Sequence, residues 1–100
     1  MIEPNKIIQR RQLPLLGVYV KPRSPTEIKL TEIWCRALGM DCVGVRDNYE
    51  DLGGDSLLAA SIFAELETSF GIKIPWALLA EAATIEQLAA AIDDMRRKAK

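Results

Sequence analysis

Histidine is missing from these 100 residues, cysteine occurs only twice, aromatic side chains make up 6%, and no long hydrophobic run is present. Without histidine there is no Ser–His or Cys–His pair, no HExxH zinc signature and no imidazole proton relay. Hydrolytic chemistry is thereby set aside. Cys35 and Cys42 are too few, and wrongly spaced, for a zinc cluster or a redox pair, so both read as buried or idle thiols. The longest apolar stretch, near Ser56 to Ala64, is far short of a membrane span, and Met1 to Lys6 lacks the apolar core of a signal peptide. A cytoplasmic protein with no membrane partner is expected.

What is present describes one small globular domain: 49% of the residues are apolar and 27% charged. At this size surface outweighs interior, which argues against a deep internal cofactor cavity. The net charge of −1 hides a strong polarity along the chain. Between Asp41 and Asp94 eleven acidic residues face only Arg46 and Lys73, a local net of −9, while the flanks carry +8. The basic N-terminal stretch (Lys6, Arg10, Arg11, Lys21, Arg23) comes with no aromatic platform or glycine-rich RNA motif, so no nucleic-acid partner is expected. A monomer is expected.

The chain divides near Ser24. Before it, Pro4, Pro14, Gly17 and Pro22 interrupt every periodic run, so residues 1–23 read as a flexible arm or linker with one short strand at Val18 to Val20. Residues 24–98 read as the folded domain. Ser24-Pro25-Thr26-Glu27 combines a cap, a first-turn proline and a capping-box glutamate, and Leu30, Ile33, Trp34, Ala37 and Leu38 then share one helical face as far as Gly39. A long loop follows from Met40 to Asp55, and Val43, Val45, Tyr49 and Leu52 are expected to pin it to the core. Helix two starts near Ser56, with Ala59, Ile62, Phe63, Leu66 and Phe70 on one face and Gly71 as its stop. A short helix three is expected within Trp76 to Ala82, and Thr84 and Gln87 open a fourth helix that buries Ile85, Leu88, Ala89 and Ile92. The expected fold is therefore all-α, a small four-helix bundle of three main helices and a short third one, with a long loop between helices one and two.

Any chemistry sits at Leu52-Gly53-Gly54-Asp55-Ser56-Leu57. Two glycines let the backbone turn sharply and leave the approach open, and Ser56 stands at a helix start, where free amides and the helix dipole favour a phosphate. Asp55 has no third residue to orient it as a base, so no catalytic residue and no metal site are expected, and Ser56 reads as the substrate of another enzyme. The plainer alternative is that Asp55 and Ser56 merely cap helix two after a glycine turn.

Residues from about Pro25 to Ile92 resemble the phosphopantetheine-attachment carrier domains, the acyl and peptidyl carrier proteins. The resemblance rests on Val45, Asp47-Asn48-Tyr49, Leu52 to Ala60, Phe70-Gly71, Ile74-Pro75 and Thr84 to Ala89 in the family's order and spacing. The apolar run after Ser56 and the glycine pair before Asp55 look like a peptidyl carrier of nonribosomal peptide synthesis. Tyr19 to Glu27 resembles the linker that follows adenylation domains, and Pro4-Asn5-Lys6-Ile7 with Arg10 to Pro14 is similar to the closing motif of those domains. That motif's glycine is missing and Gln9 replaces its aspartate, so no adenylating role passes to Lys6.

The resemblance implies a carrier rather than an enzyme. Ser56 is the serine that takes the 4'-phosphopantetheine arm of coenzyme A, with Gly54 and Asp55 beside it and Asp55 assisting a metal-dependent phosphopantetheinyl transferase. Cargo rides as a thioester on the arm. The implied partners are that transferase, an adenylation or acyl-loading enzyme, and downstream condensation, tailoring or thioesterase enzymes. Docking is expected around Leu57, Leu58 and Ser61 on helix two, with Tyr49, Trp76 and Leu79 nearby; for each apolar member, burial in the core is the competing reading. The rival class is a non-catalytic helical interaction module whose acidic face binds a basic partner.

Overall fold

A computed structural model describes residues 7–15, 17–75 and 77–98, apart from the side chains of residues 79 and 80. Among these residues the regular structure is helical, with no strand: a 3-10 turn at Arg10–Gln12, then α1 (Pro25–Leu38), α2 (Ser56–Phe70), the single turn α3 (Leu78–Glu81) and α4 (Ile85–Lys98).

The ends of α1 follow from its capping residues. Ser24 Oγ accepts the amide of Glu27 at 3.1 Å, and the Glu27 carboxylate returns to the Ser24 amide, so two amides with no helical partner are satisfied reciprocally. Gly39 closes the helix at φ 69°, a left-handed conformation that costs glycine little. Gly71 ends α2 in the same way at φ 66°. Between these caps the stripes face inward: Leu30, Ile33 and Trp34 from α1, Ala59, Ile62, Phe63 and Leu66 from α2, and Ile85, Leu88, Ala89 and Ile92 from α4 form one core. Each large apolar side chain so buried contributes about 1.5–3 kcal/mol.

α1 is clasped to α4 as well as packed on it. Thr26 Oγ1 donates to Asp93 at 2.6 Å, and the Arg23 guanidinium spans Glu27 at 2.9 Å and Glu86 at 2.7 Å. The segment from Met40 to Asp55 has little helix or ladder of its own, and its backbone finds partners at the start of α4. The Val45 carbonyl accepts the Glu86 amide, and the Tyr49 amide donates to Ala83, both at 2.8 Å. Val43, Val45, Tyr49 and Leu52 are buried, as their spacing implies.

Two expectations change. The strand at Val18 to Val20 does not form, because the Val20 carbonyl accepts a single bond from Val45 and no ladder continues from it. Helix three is a single turn within the expected stretch: its N-cap is Ala77, which has no side-chain acceptor, and the chain leaves it at Ala82. Trp76 lies outside the described residues. The arm is also no free linker over its described length, since Leu13, Leu15 and Val20 pack against the core.

Candidate functional site: the head of helix α2

The turn ahead of α2 is built residue by residue. Asn48 Oδ1 accepts the Glu50 amide at 2.9 Å, a side chain standing in for a backbone turn, and the Tyr49 carbonyl then accepts the amides of Leu52 (3.2 Å) and Gly54 (3.1 Å). Gly53 completes the reversal at φ 92°. Gly54 has no such backbone demand. An added Cβ there would fall inside the Cζ, Cε1 and Cε2 atoms of Tyr49, so only glycine lets the ring lie against the chain.

Tyr49 is the hub of this turn. It is 3% exposed, packs edge-on against Trp34 with centroids 5.4 Å apart, and donates its hydroxyl to the Asp55 carbonyl at 2.8 Å. Burial pushes its phenol above the ordinary tyrosine value, so the hydroxyl stays protonated and donating at neutral pH. Tyr49 is thus a support beneath the site and not part of a docking surface. Its role was hidden in sequence because nothing local joins residues 49 and 55; the one available signal is a bulky aromatic followed by glycine five places on.

Asp55 and Ser56 divide the helix start between them. Asp55, extended at φ −134°, takes the Leu58 amide on its side chain at 2.8 Å and is the N-cap. Ser56 is the first residue of α2 and is exposed. The amides of Ser56 and Leu57 have no intrahelical acceptor at this position, so an anion on the serine oxygen would meet positive partial charge. Capping and an accessible hydroxyl therefore coexist on neighbouring residues. Among the other expected residues, Leu57 is 83% exposed, Ser61 is exposed and Leu58 is half-buried against the core. Trp76 and the Leu79 side chain lie outside the described residues, as does Lys6 of the N-terminal motif.

A family model described as the phosphopantetheine attachment site matches residues 29–92, which contain the whole of this turn and α2. The chain belongs to that family. The carrier domain is 42% identical over 76 residues to gramicidin S synthase 2 of Brevibacillus brevis, covering 76% of this chain. It is 36% identical over 105 residues to tyrocidine synthase 1 of Brevibacillus parabrevis, covering 97% of this chain. It spans only 2% and 10% of those two relatives. Among solved structures it is similar to an active-site mutant peptidyl carrier protein, at 32% identity and TM-score 0.76, covering 80% of this chain and 89% of that one. It is also similar to a structure of the phosphopantetheine transferase Sfp in complex with coenzyme A and a peptidyl carrier protein, at 34% identity and TM-score 0.74, covering 76% and 99%.

The residues of the carrier suit that covalent group. Its anchor needs an exposed hydroxyl on a rigid backbone, which Ser56 supplies. Neither cysteine competes with the thiol that such an arm brings. Burial pushes the Cys35 thiol up to about 11, and burial followed by the charge of Asp41 raises Cys42, so both stay protonated and weakly nucleophilic at neutral pH. Among the described residues no group of carboxylates and thiols could hold a metal ion, and no helix is long and apolar enough to cross a membrane.

Proposed function

We propose that this chain is a peptidyl carrier domain of a nonribosomal peptide synthetase, and that Ser56 is its attachment residue. The observation that carries the reading is the exposed Ser56 hydroxyl on the first turn of α2, on a turn held from below by Tyr49 and capped by Asp55. In the attachment step the Ser56 oxygen bonds to the phosphorus bearing pantetheine, the pyrophosphate bond of coenzyme A breaks, and the serine proton leaves with the adenosine-bearing phosphate. Once attached, the arm supplies the thiol on which an aminoacyl or peptidyl group is held as a thioester. The chain's own work is to present that thiol and leave the cargo intact.

Residues 24–98 are the carrier domain in this reading and residues 1–23 its arm; the finer fold description is the four-helix bundle, with the long first loop serving to hold Ser56. Leu57 and Ser61, beside Ser56 on the outward face of α2, form the core of the docking surface, with Leu58 at its edge. The phosphopantetheinyl transferase is the first partner, which the complex of Sfp with a carrier of 34% identity supports. A loading adenylation domain is the second, supported by the 28% identical structure of McyG A-PCP complexed with phenylalanyl-adenylate. Condensation, tailoring and thioesterase enzymes follow. Coenzyme A as donor fits attachment in the cytoplasm.

The interaction-module alternative loses its main support in the fate of the acidic segment. Asp47, Glu65, Glu86 and Asp94 are in ion pairs. Asp41, Asp55, Glu67 and Asp93 accept hydrogen bonds. Eight of the segment's eleven carboxylates are thus engaged within the fold, which leaves Glu50, Asp51 and Glu81, all exposed, for a basic partner. The test is intact mass before and after incubation with coenzyme A, magnesium and a promiscuous phosphopantetheinyl transferase, with Ser56→Ala beside it. One phosphopantetheine on the wild type and none on the variant is the expected result; no addition to folded wild-type protein would overturn the reading.

A further inference from the structure

The arm is joined to the attachment loop by contacts that nothing in its sequence pattern announces. The Ile8 amide donates to Gly39 at 2.7 Å and the Asp41 amide returns to Ile8 at 2.9 Å, a short parallel bridge between Ile8 and Met40. The Arg10 amide donates to the Asp41 carboxylate at 2.8 Å. The Arg10 guanidinium then grips Asp47 in a two-pronged pair, Nε to Oδ2 at 2.6 Å and Nη2 to Oδ1 at 2.7 Å. Nη2 also reaches the Gly17 carbonyl at 3.3 Å, and the guanidinium lies 5.3 Å from the Tyr19 ring, so the arm folds around its own arginine. Farther on, the Val20 carbonyl accepts the Val45 amide at 2.9 Å.

The loop depends on this as much as the arm does. The side chain of Asp47 is only 3% exposed and that of Arg10 only 13%. Asp47 Oδ2 also accepts the Gly44 amide at 2.8 Å and so fixes the loop's own turn. A carboxylate this deeply buried is costly without its cation, because removing Arg10 leaves the charge with the Gly44 amide and no counter-ion. The arm therefore supplies the cation that pairs with the buried carboxylate of the loop between α1 and α2.

We infer that the arm over residues 8–15 and 17–20 is a strap that docks on the loop of residues 39–47, with Arg10–Asp47 as its latch. The folded unit then begins at Ile8 rather than at Ser24. The consequence for carriage rests on the carrier reading: the strap travels with the domain that presents Ser56, and a partner that lifts the strap also loosens the loop leading to the attachment turn. The strap itself needs no such reading.

The test is residue-resolved amide hydrogen exchange on the full chain, without coenzyme A or transferase, so that failure of the strap and failure of the carrier reading are read separately. Wild-type protein is expected to protect the amides of Ile8, Arg10, Asp41 and Val45. Arg10→Gln is expected to lower protection at those four by about tenfold or more while interior amides of α1 and α2, such as those of Leu30 and Leu66, keep theirs. Arg10→Lys, which keeps the charge but not the fork, should fall between. Exchange of Ile8 and Arg10 at free-chain rates in the wild type would overturn the strap. Unchanged protection in Arg10→Gln, or an equal loss across all three long helices, would overturn the latch.

Discussion

Replacing Gly54 with alanine adds one methyl group two residues before Ser56, and the structure places that methyl inside the outer carbons of the Tyr49 ring. The ring has nowhere inexpensive to go. Retreat gives up its hydroxyl bond to Asp55, worth about 1 kcal/mol, and its edge contact with Trp34, worth about 0.5–1.5 kcal/mol. Overpacking of a filled core costs about 1–3 kcal/mol in its own right, so Gly54→Ala is expected to cost about 3 kcal/mol. That corresponds to a fall in Tm of about 12–24 °C for a domain of this length. Urea titration followed by fluorescence of the buried Trp34 measures it. The control is the same substitution in a Tyr49→Leu background, which removes the three offending carbons and retains an apolar side chain of moderate size. There Gly54→Ala should cost less than about 1 kcal/mol, the remaining interaction energy appearing as coupling. Equal costs in both backgrounds would refute the reasoning and return Gly54 to a purely backbone role.

Three further outcomes follow from the same geometry. Asp55→Ala should destabilise the domain by about 1 kcal/mol in urea titration through loss of the cap, whereas Asp55→Asn keeps an acceptor for the Leu58 amide and should keep the stability; if only the transferase rate falls in Asp55→Asn, the charge serves the partner and the cap serves the fold. Leu57→Arg should leave the urea midpoint unchanged, because the side chain is 83% exposed, and should slow phosphopantetheine addition measured by mass; unfolding of this variant would dismiss the docking role. The Arg23 guanidinium beside Glu27, with the Arg23 and Ser24 amides, holds that buried carboxyl below the usual range. Its contribution is therefore complete above the unfolded value of about 4.3 and is lost as pH falls through the lower folded value, so the urea midpoints of wild type and Glu27→Gln should converge below about pH 4. Parallel curves down to about pH 2 would contradict this assignment.

Local signals in this sequence are dependable where one short stretch decides the outcome. Ser24-Pro25-Thr26-Glu27 opens α1 through a capping box, and Gly39 and Gly71 close their helices at positive φ, because each device acts within four residues. The four apolar residues of the loop are buried because a segment of that length with little regular structure needs anchors in the core. The latch was illegible for the opposite reason. Arg10 and Asp47 lie 37 residues apart, their pairing has no period, and a basic residue in a proline-broken arm looks the same whether solvated or buried. Tyr49 failed in a subtler way: an aromatic in a loop suits both a docking face and an anchor, and only its distance from Asp55 and Gly54 in space decides between them.

At Asp55-Ser56 the helix cap and the accessible hydroxyl fall to two different residues, and in the proposed carrier reading that separation bears on how a thioester survives. A cap must turn its side chain inward along the helix, and Asp55 does so, engaging the Leu58 amide. The carboxylate nearest the serine is therefore tied to a backbone amide, with no imidazole in the sequence to relay a proton to it. Both thiols are held protonated, chiefly by burial. On α4 the carboxylates are engaged as well, Glu86 by Arg23, Asp93 by Thr26 and Asp94 by Lys98. For a carrier of activated acyl groups, the same contacts that stabilise this fold also engage the carboxylate beside Ser56 and the three carboxylates of α4, and burial holds both thiols protonated.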